Sequence, residues 1–317
     1  MEIINYTTDY FDRWNRFVEL SNNGTLFHKL DFLSYHGDQF KESEHNLIWL
    51  DGEEIVALMP MSLLNIDGNL IAKSPHGSSY GGIIFLKDIN YAEAEEIFSE
   101  LKLYCAKLSI NELIITNTPT IYHSEQCEYF DFIFLINKGQ LINADLTAYV
   151  KINNDFENNY SRSCKKAIRQ AIKFDLRFEK NNDLDSFYEI LLKNREKHEA
   201  KPIHTKSDLE YLLNNLSEQI HLFMVYKDDT PIAGSVVFIC NNNVIIDFYW
   251  AHLEQYSHLR PINYLVFKIC NWALEHNFKI FDFGTHTLNM KPNHGGTKFK
   301  ESFGSRGVLR KTYKFNF

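Results

Sequence analysis

The spacing of hydrophobic positions changes repeatedly along the chain and predicts a mixture of helices and strands. Aromatic and aliphatic side chains recur at helical intervals in residues 9–20, which predicts an amphipathic helix, and residues 27–36 predict a second one. Strands joined by Asp-Gly turns are predicted next, at 46–50, 55–64 and 70–73. A helix at residues 91–108 and a buried strand at residues 112–116 complete this first series.

The second half of the chain repeats that order. Three more antiparallel strands, separated by polar turns, are predicted at 220–227, 232–240 and 244–250. A helix at residues 261–276 and a strand at residues 279–283 follow them, as in the first half. We therefore predict two copies of one α/β unit, with domains at residues 1–145 and 146–317.

The segment between the two copies contains a helix whose faces differ in charge. Two short strands are predicted at residues 132–136 and 147–152, and a helix follows at residues 155–174. Apolar side chains occupy one side of this helix, while another side carries Arg162, Lys166, Arg169 and Lys173. The remaining predicted elements are a strand at 176–179 and helices at 184–200 and 207–216.

Composition places the chain among globular proteins with a substantial core. It has 317 residues, of which 44% are hydrophobic and 15% aromatic, and this suits two domains. The formal net charge is -8, and residues 160–180 carry +5 and residues 285–317 carry +6, which leaves -19 for the rest. Two basic stretches in an acidic protein predict local capture of an anionic ligand. The alternative is that both stretches pair with nearby acids.

Cysteine usage and the N-terminal sequence indicate a reducing setting inside the cell. The five cysteines show no C-x-x-C spacing and are typical of core thiols. Residues 1–17 lack a basic segment followed by an apolar one, and no later run has the length of a membrane span. We therefore predict a cytoplasmic protein with no integral membrane segment and, from its negative charge, no DNA partner.

Near the C-terminus, residues 281–313 combine turns, aromatic residues and lysines. A short helix is predicted at residues 297–304, between a turn-rich segment and a strand at residues 308–313. Phe299 and Phe303 would anchor this helix and leave Lys300 on a neighbouring face, free to meet an anionic group. The alternative is a surface lysine that packs its aliphatic stem along the helix.

The order of elements and two segments of sequence point to a family. The segments are NYSRSCKKAIRQAIKFDLRF and FDFGTHTLNMKPNHGGTKFKESFG, and the chain resembles the FemABX-like family of tandem GNAT acyltransferases. The resemblance implies mixed α/β sheets in two tandem GNAT-like domains packed around a central cleft. It also implies transfer of an acyl or aminoacyl group to an amine. In the best-understood branch, aminoacyl-tRNA donates to a peptidoglycan precursor, which implies tRNA and a cell-envelope acceptor as partners.

The resemblance also suggests individual residues. By position, Lys300 in KFKESFG matches the family lysine thought to stabilise the charged transition state, and Phe299 lies beside it. A fixed ammonium directed at a developing oxyanion contributes on the order of 3 kcal/mol, so Lys300 is the predicted catalytic residue. Residues predicted to bind substrate are Phe299, Arg162, Lys165, Lys166, Arg169, Asp247, Tyr249, Arg260 and Lys298.

Two departures from the family pattern leave other functions open. Residues 184–216 are too short for the long helical arm of some peptidoglycan-bridge enzymes, and Pro202 interrupts them. Residues 252–261 contain no glycine where CoA-dependent GNAT enzymes carry a pyrophosphate loop, although Arg260 there would still hold a phosphate. We predict no metal and no tightly bound cofactor, with aminoacyl-tRNA or acyl-CoA as the donor substrate. An acyl-CoA-dependent N-acyltransferase and a non-catalytic module that binds RNA or anionic glycan are the alternatives.

Overall fold

The chain forms two compact units. The structure, a computed structural model, describes residues 1–196 and 201–317. The first unit comprises residues 1–146 and 308–317, and the second comprises residues 147–307. The last strand belongs to the first unit because it pairs with a strand at residues 112–116. The domain boundary after residue 145 stays a prediction.

The first unit begins with the elements that its hydrophobic spacing predicts. Its helices are α1 (Phe11–Leu20), α2 (Leu30–Leu33), α3 (Tyr91–Lys107) and α4 (Tyr129–Ile136). Its strands are β1 (Glu2–Asn5), β2 (Leu47–Asp51), β3 (Glu54–Met59), β4 (Ser62–Ile66), β5 (Asn69–Ser74), β6 (Ile84–Phe85) and β7 (Glu112–Thr116). The order β1-β2-β3-β6 makes one sheet, while β4, β5 and β7 are neighbours in another. The buried side of α3 packs into the core beside Trp49 and Phe134.

Three predictions for the first unit are wrong, each for a local reason. The strand predicted at residues 55–64 is broken at Pro60, which has no N–H for a sheet ladder, and its halves enter different sheets. The helix predicted at residues 27–36 is interrupted because Lys29 is extended, and only the short helix α2 and single 3-10 turns on either side of it form. The strand predicted at residues 132–136 is helix α4, since Phe130, Ile133 and Phe134 pack inward at helical spacing.

The second unit follows the predicted order closely. Its helices are α5 (Arg162–Ile172), α6 (Leu184–Glu196), α7 (Lys206–Asn215), α8 (Pro261–Glu275) and α9 (His294–Ser302). Its strands are β8 (Gln140–Lys151), which begins in the first unit, β9 (Leu176–Asn181), β10 (Ile220–Lys227), β11 (Thr230–Ile239), β12 (Val244–His252), β13 (Ile280–Thr285), β14 (Thr287–Leu288) and β15 (Lys291–Pro292). The last strand of the chain, β16 (Arg306–Asn316), is the one that pairs in the first unit. The last four residues of the helix predicted at 184–200 lie outside the described residues.

One sheet and two helices organise the core of the second unit. The strand order is β8-β13-β12-β11-β10-β9, in which only the β12–β13 pair is parallel. Helices α5 and α8 pack on this sheet through residues such as Cys164, Ile168 and Ile269. None of the helices in the described part of the chain is long and apolar enough to cross a lipid bilayer.

Candidate active site

The parallel ladder between β12 and β13 ends before either strand does. Its register runs from Val244 opposite Ile280 to Ile246 opposite Asp282, and no further pair joins these two strands, both of which are fully described. Both strands continue past that point. Backbone N–H and C=O groups on the facing sides therefore need partners other than the neighbouring strand.

A β-bulge lies in β13 just beyond the last pair. Between Asp282 and Thr285 the strand takes three steps, while its partner β8 takes two, from Tyr149 to Thr147. Gly284 has a φ of 70°, the left-handed region that favours glycine. The Oδ1 of Asp282 accepts hydrogen bonds from Gly284 N at 2.7 Å and from Thr147 Oγ1 at 2.6 Å. The carboxylate thus ties both strands to the bulge.

Lys300 of α9 occupies the space beside this bulge. Its Nζ donates to the carbonyl oxygens of Phe283, Gly284 and Thr285 at 2.9, 3.0 and 3.0 Å. An ammonium has three N–H bonds, so all of them are directed at the backbone. The side chain is only 5% exposed. The prediction that Lys300 is free to meet an anion is therefore wrong for this state of the protein.

The surroundings of Lys300 are charged and buried. Burial lowers the pKa of Lys300 to about 8, and the negative charges of Asp282 and Asp247 oppose that shift. Burial raises the pKa of Asp247 to about 7, against the hydrogen bond that Ser235 donates to its Oδ1 at 2.7 Å. The other oxygen, Oδ2, has no hydrogen-bond partner among the described residues. Charges held in such a poorly solvated place interact strongly with any charge that develops nearby.

Aromatic packing fixes α9 in place, as its spacing predicts. The ring centroids of Phe299 and Phe303 lie 5.3 Å apart, and Phe303 is fully buried. Phe299 also lies 5.0 Å from the ring of Trp250 on β12. Lys298 is exposed on the same helix. The two phenylalanines thus hold α9 so that Lys300 enters the sheet while Lys298 faces solvent.

A cavity of about 370 Å³ lies at the start of α8. No side chain caps this helix, so its first N–H groups are available to an anion. Arg260, directly before the helix, has φ 59° and ψ 42°, a left-handed conformation that costs a non-glycine residue roughly 1 kcal/mol. The glycine-free segment therefore adopts a turn that glycine usually supplies. The lining residues are Ser163, Cys164, Lys166, Ala167, Gln170, Arg260, Asn263, Phe299 and Ser302.

The basic face predicted for α5 is present and faces away from the core. Arg162, Lys166 and Arg169 are exposed, and no carboxylate of the described residues forms an ion pair with them. Lys166 lines the cavity at α8. Lys165 differs from the others because its Nζ donates to the carbonyl oxygen of Asn158 at 3.2 Å. The structure therefore places Lys166 and Arg260 together, with Arg162 and Arg169 on the same helix.

Tyr249 has a partner that the sequence does not reveal. It is 3% exposed, and its hydroxyl accepts hydrogen bonds from the N–H groups of Ile203 and His204 at 3.1 and 3.2 Å. The hydroxyl thus holds the loop before α7.

No group of histidine, cysteine and acidic side chains in the described part of the chain is arranged to hold a metal ion.

Sequence reasoning missed Asp282 and Thr147, the two side chains that shape the bulge. Both are almost fully buried, at 0% and 1% exposure. A signal for Asp282 exists, because an aspartate inside an apolar strand and followed by glycine is costly unless the carboxylate is bonded. Thr147 carries no comparable signal.

A protein-family model matches the second unit in sequence. Residues 155–301 match the family model described as Acetyltransferase (GNAT) domain. Residues 155–301 therefore resemble a GNAT domain. The matched segment includes α5, the start of α8, the bulge in β13 and Lys300, so the prediction of an acyltransferase is confirmed at the level of this domain match.

Solved structures resemble the chain over its whole length. A crystal structure of FemX has a TM-score of 0.76 at 12% identity, covering 100% of this chain and 98% of that one. The C-terminal DUF2156 domain of a putative lysylphosphatidylglycerol synthetase from Agrobacterium fabrum scores 0.61 at 10% identity, over 98% and 92%. A tandem GNAT protein from the clavulanic acid biosynthesis pathway scores 0.55 at 9% identity, over 99% and 98%.

These likenesses concern the fold. At such low identities they confirm the predicted tandem GNAT architecture and the resemblance to FemABX-like proteins, and they assign no substrate. No curated protein matches the chain significantly in sequence.

Proposed function

We propose that the second unit transfers an acyl or aminoacyl group from an activated donor to an amine by direct attack. The amine nitrogen bonds to the donor carbonyl carbon and loses a proton, and the bond from that carbon to the donor oxygen or sulfur breaks. The leaving group takes up a proton. No covalent intermediate with the protein is required.

The observation that carries this proposal is the buried charge of Lys300 at the end of the β12–β13 ladder. Attack on an ester or thioester builds negative charge on the carbonyl oxygen, and a fixed positive charge in a poorly solvated place stabilises it. Because the three N–H bonds of Lys300 are already directed at backbone carbonyls, its contribution is electrostatic rather than a donated hydrogen bond. Phe299 and Lys298 belong to the same helix and would line the path of the substrate.

The cavity at α8 supports a donor that carries phosphate. Arg260 and Lys166 line it beside the uncapped start of α8, and helix N-termini with adjacent basic side chains bind phosphates well. Both aminoacyl-tRNA and acyl-CoA satisfy that requirement. The unpaired Arg162 and Arg169 on α5 favour the larger polyanion, aminoacyl-tRNA. The GNAT match favours acyl-CoA as the second candidate.

Further parts of the proposal follow from the FemABX-like resemblance. They are tRNA as a partner, an amine acceptor such as a cell-envelope precursor, and a cytoplasmic site of action. Asp247 and Tyr249 lie on β12 beside the ladder end, and we include Asp247 among the groups whose charge acts on the substrate. Lys165 remains among the proposed binding residues, although its Nζ already donates to the carbonyl oxygen of Asn158.

The donor is tested by incubating the protein with labelled aminoacyl-tRNA and, separately, with labelled acyl-CoA, each with a mixture of primary amines. The proposal predicts amine-dependent loss of label from aminoacyl-tRNA. Loss from acyl-CoA alone would replace it by the CoA-dependent N-acyltransferase. Inertness toward both donors, together with salt-sensitive binding of RNA, would contradict catalysis and support a non-catalytic module that binds RNA or anionic glycan.

A further inference from the structure

The bulge in β13 creates a geometry that a regular strand cannot provide. In an extended strand, successive carbonyl groups point in opposite directions, so three in a row cannot converge on one atom. Here the carbonyls of residues 283–285 all lie within 3.0 Å of Lys300 Nζ. The extra residue and the left-handed Gly284 make this convergence possible.

Asp282 is the side chain that holds the bulge. One oxygen, Oδ1, receives both the N–H of Gly284 within the strand and the hydroxyl of Thr147 on the neighbouring strand. Since Asp282 is fully buried, these bonds replace the water that a carboxylate needs. Removing them would release Gly284 toward ordinary extended pairing and disperse the three carbonyls.

Asp282 also supplies negative charge to the same place. Asp282 on β13 and Asp247 on β12 act on the charge of Lys300. The pKa of His286, after β13, is lowered by burial and by Lys300, against the negative charges of Glu301 on α9 and Asp282. The strongest support for the charged form of Lys300 comes from Asp282, ahead of Asp247. Asp247 bonds to Ser235 on β11 and takes no part in the bulge. Asp282 therefore contributes both negative charge and the geometry of the bulge, whereas Asp247 contributes negative charge alone.

We propose that Asp282 is a positioning residue: it folds β13 around Lys300 Nζ and keeps that amine charged for the transfer reaction. This inference rests on the proposed function for its role in transfer. Its structural half stands independently, because the state of Lys300 can be measured without any substrate.

The test is an NMR titration of Lys300 Nζ in lysine-labelled protein, assigned with the Lys300→Met variant. In the wild type the midpoint is expected near pH 8, since burial lowers the pKa of Lys300 to about 8. Asp282→Asn keeps an oxygen acceptor and removes the charge, and should lower the midpoint by about one to three pH units. The matched control, Asp247→Asn, should lower it less. Equal shifts in the two variants, or none in Asp282→Asn, would overturn the proposal.

Turnover provides the second readout. Asp282→Asn should lose turnover at pH 8, keep the donor KM, and regain turnover as the pH is lowered below its new midpoint. A loss that is independent of pH would indicate a merely structural role and contradict the proposal. If Asp282→Asn does not fold, Thr147→Val is used; it should lower the midpoint by a smaller amount, and an unchanged midpoint would contradict the proposal. Shifted midpoints in a protein inert to both donors would refute the transfer reaction and leave the positioning role standing.

Discussion

The parallel strand pair of the first unit and that of the second unit end differently. In the first unit the β5–β7 register runs to Ser74 opposite Ile115, and a parallel bridge between Gly81 and Asn117 extends it. The N–H of Gly81 donates to the carbonyl of Thr116 at 3.0 Å. In the first unit the chain's own backbone therefore extends the parallel pair, whereas in the second unit the side chain of Lys300 bonds to the end of β13.

The side chains that bond to these two strand ends, His28 in the first unit and Lys300 in the second, differ in charge. In the first unit, fully buried His28 accepts a hydrogen bond from Thr25 N at 3.0 Å through Nδ1, and its Nε2 lies 3.2 Å from the carbonyl oxygen of Gly81. Burial lowers the pKa of His28 to about 4, so the ring is neutral near pH 7. In the second unit the side chain that bonds to the carbonyls at the strand end is the ammonium of Lys300. The two units thus share an α/β arrangement, but the strand end is neutral and closed in the first unit and charged in the second. We assign the transfer reaction to the charged strand end of the second unit.

The largest effect is expected from Lys300→Met. Losing the buried charge should lower turnover by about 10²- to 10³-fold. It should also lower the free energy of unfolding by about 3 kcal/mol, because two buried aspartates lose their cation. Turnover with the identified donor and urea unfolding measure these effects. Lys279→Met, an exposed control before β13, should leave both quantities unchanged. Turnover of Lys300→Met within threefold of wild type would contradict the assignment of the reaction to the charged strand end of the second unit.

Arg260→Gly should change donor binding and stability in opposite directions. Loss of the guanidinium should raise the donor KM by about tenfold, the range of one charge-assisted hydrogen bond. Glycine relieves the left-handed backbone, so the free energy of unfolding should stay the same or rise by about 1 kcal/mol. Steady-state kinetics and urea unfolding report the two quantities. Lys193→Gln, an exposed basic residue on α6, serves as the control, and an unchanged KM for Arg260→Gly would remove the phosphate site from α8.

Gly81→Ala should damage the first unit without touching the chemistry. An added Cβ at Gly81 would lie 2.6 Å from both Pro75 N and Ser74 Oγ. Such overpacking costs about 1 to 3 kcal/mol of unfolding free energy, while kcat below the melting temperature should not change. At Gly295 in α9 the nearest atom would be 3.8 Å away, so Gly295→Ala should be neutral or stabilising. Equal stability of the two variants would contradict the closed strand end.

The smallest effect concerns His28 and acid. Because its folded pKa is lower than its unfolded pKa, the unfolded chain binds a proton that the folded chain refuses, and stability falls as pH drops from 6.5 toward 4. His28→Gln should reduce that slope by up to about 1.4 kcal/mol per pH unit. Urea midpoints between pH 5 and 7 give the slope. The exposed His276→Gln should retain it, and a wild-type slope in His28→Gln would show that the buried, neutral imidazole of His28 is not the source of the slope.

Much of the second unit's fold is predictable from spacing, and the setting of its lysine is not. The hydrophobic pattern of residues 220–250 predicts β10 to β12, and the helical spacing of hydrophobic residues in 261–276 predicts α8, because both signals are local. The apolar run that forms α4 is too short to distinguish a helix from a strand. The bulge beside Lys300 includes a bond between Asp282 and Thr147, which lie 135 residues apart in sequence. No local pattern encodes that pairing.

The charge of Lys300 is the central claim, and one measurement tests it most directly. Turnover of the wild type at saturating donor is followed from pH 6 to pH 10, beside the NMR titration of Lys300 Nζ. The account predicts that turnover falls as pH rises, with the same midpoint near 8 as the loss of the ammonium, because burial lowers the pKa of Lys300 to about 8. Turnover that stays constant to pH 10 while Lys300 loses its proton near pH 8 would contradict it.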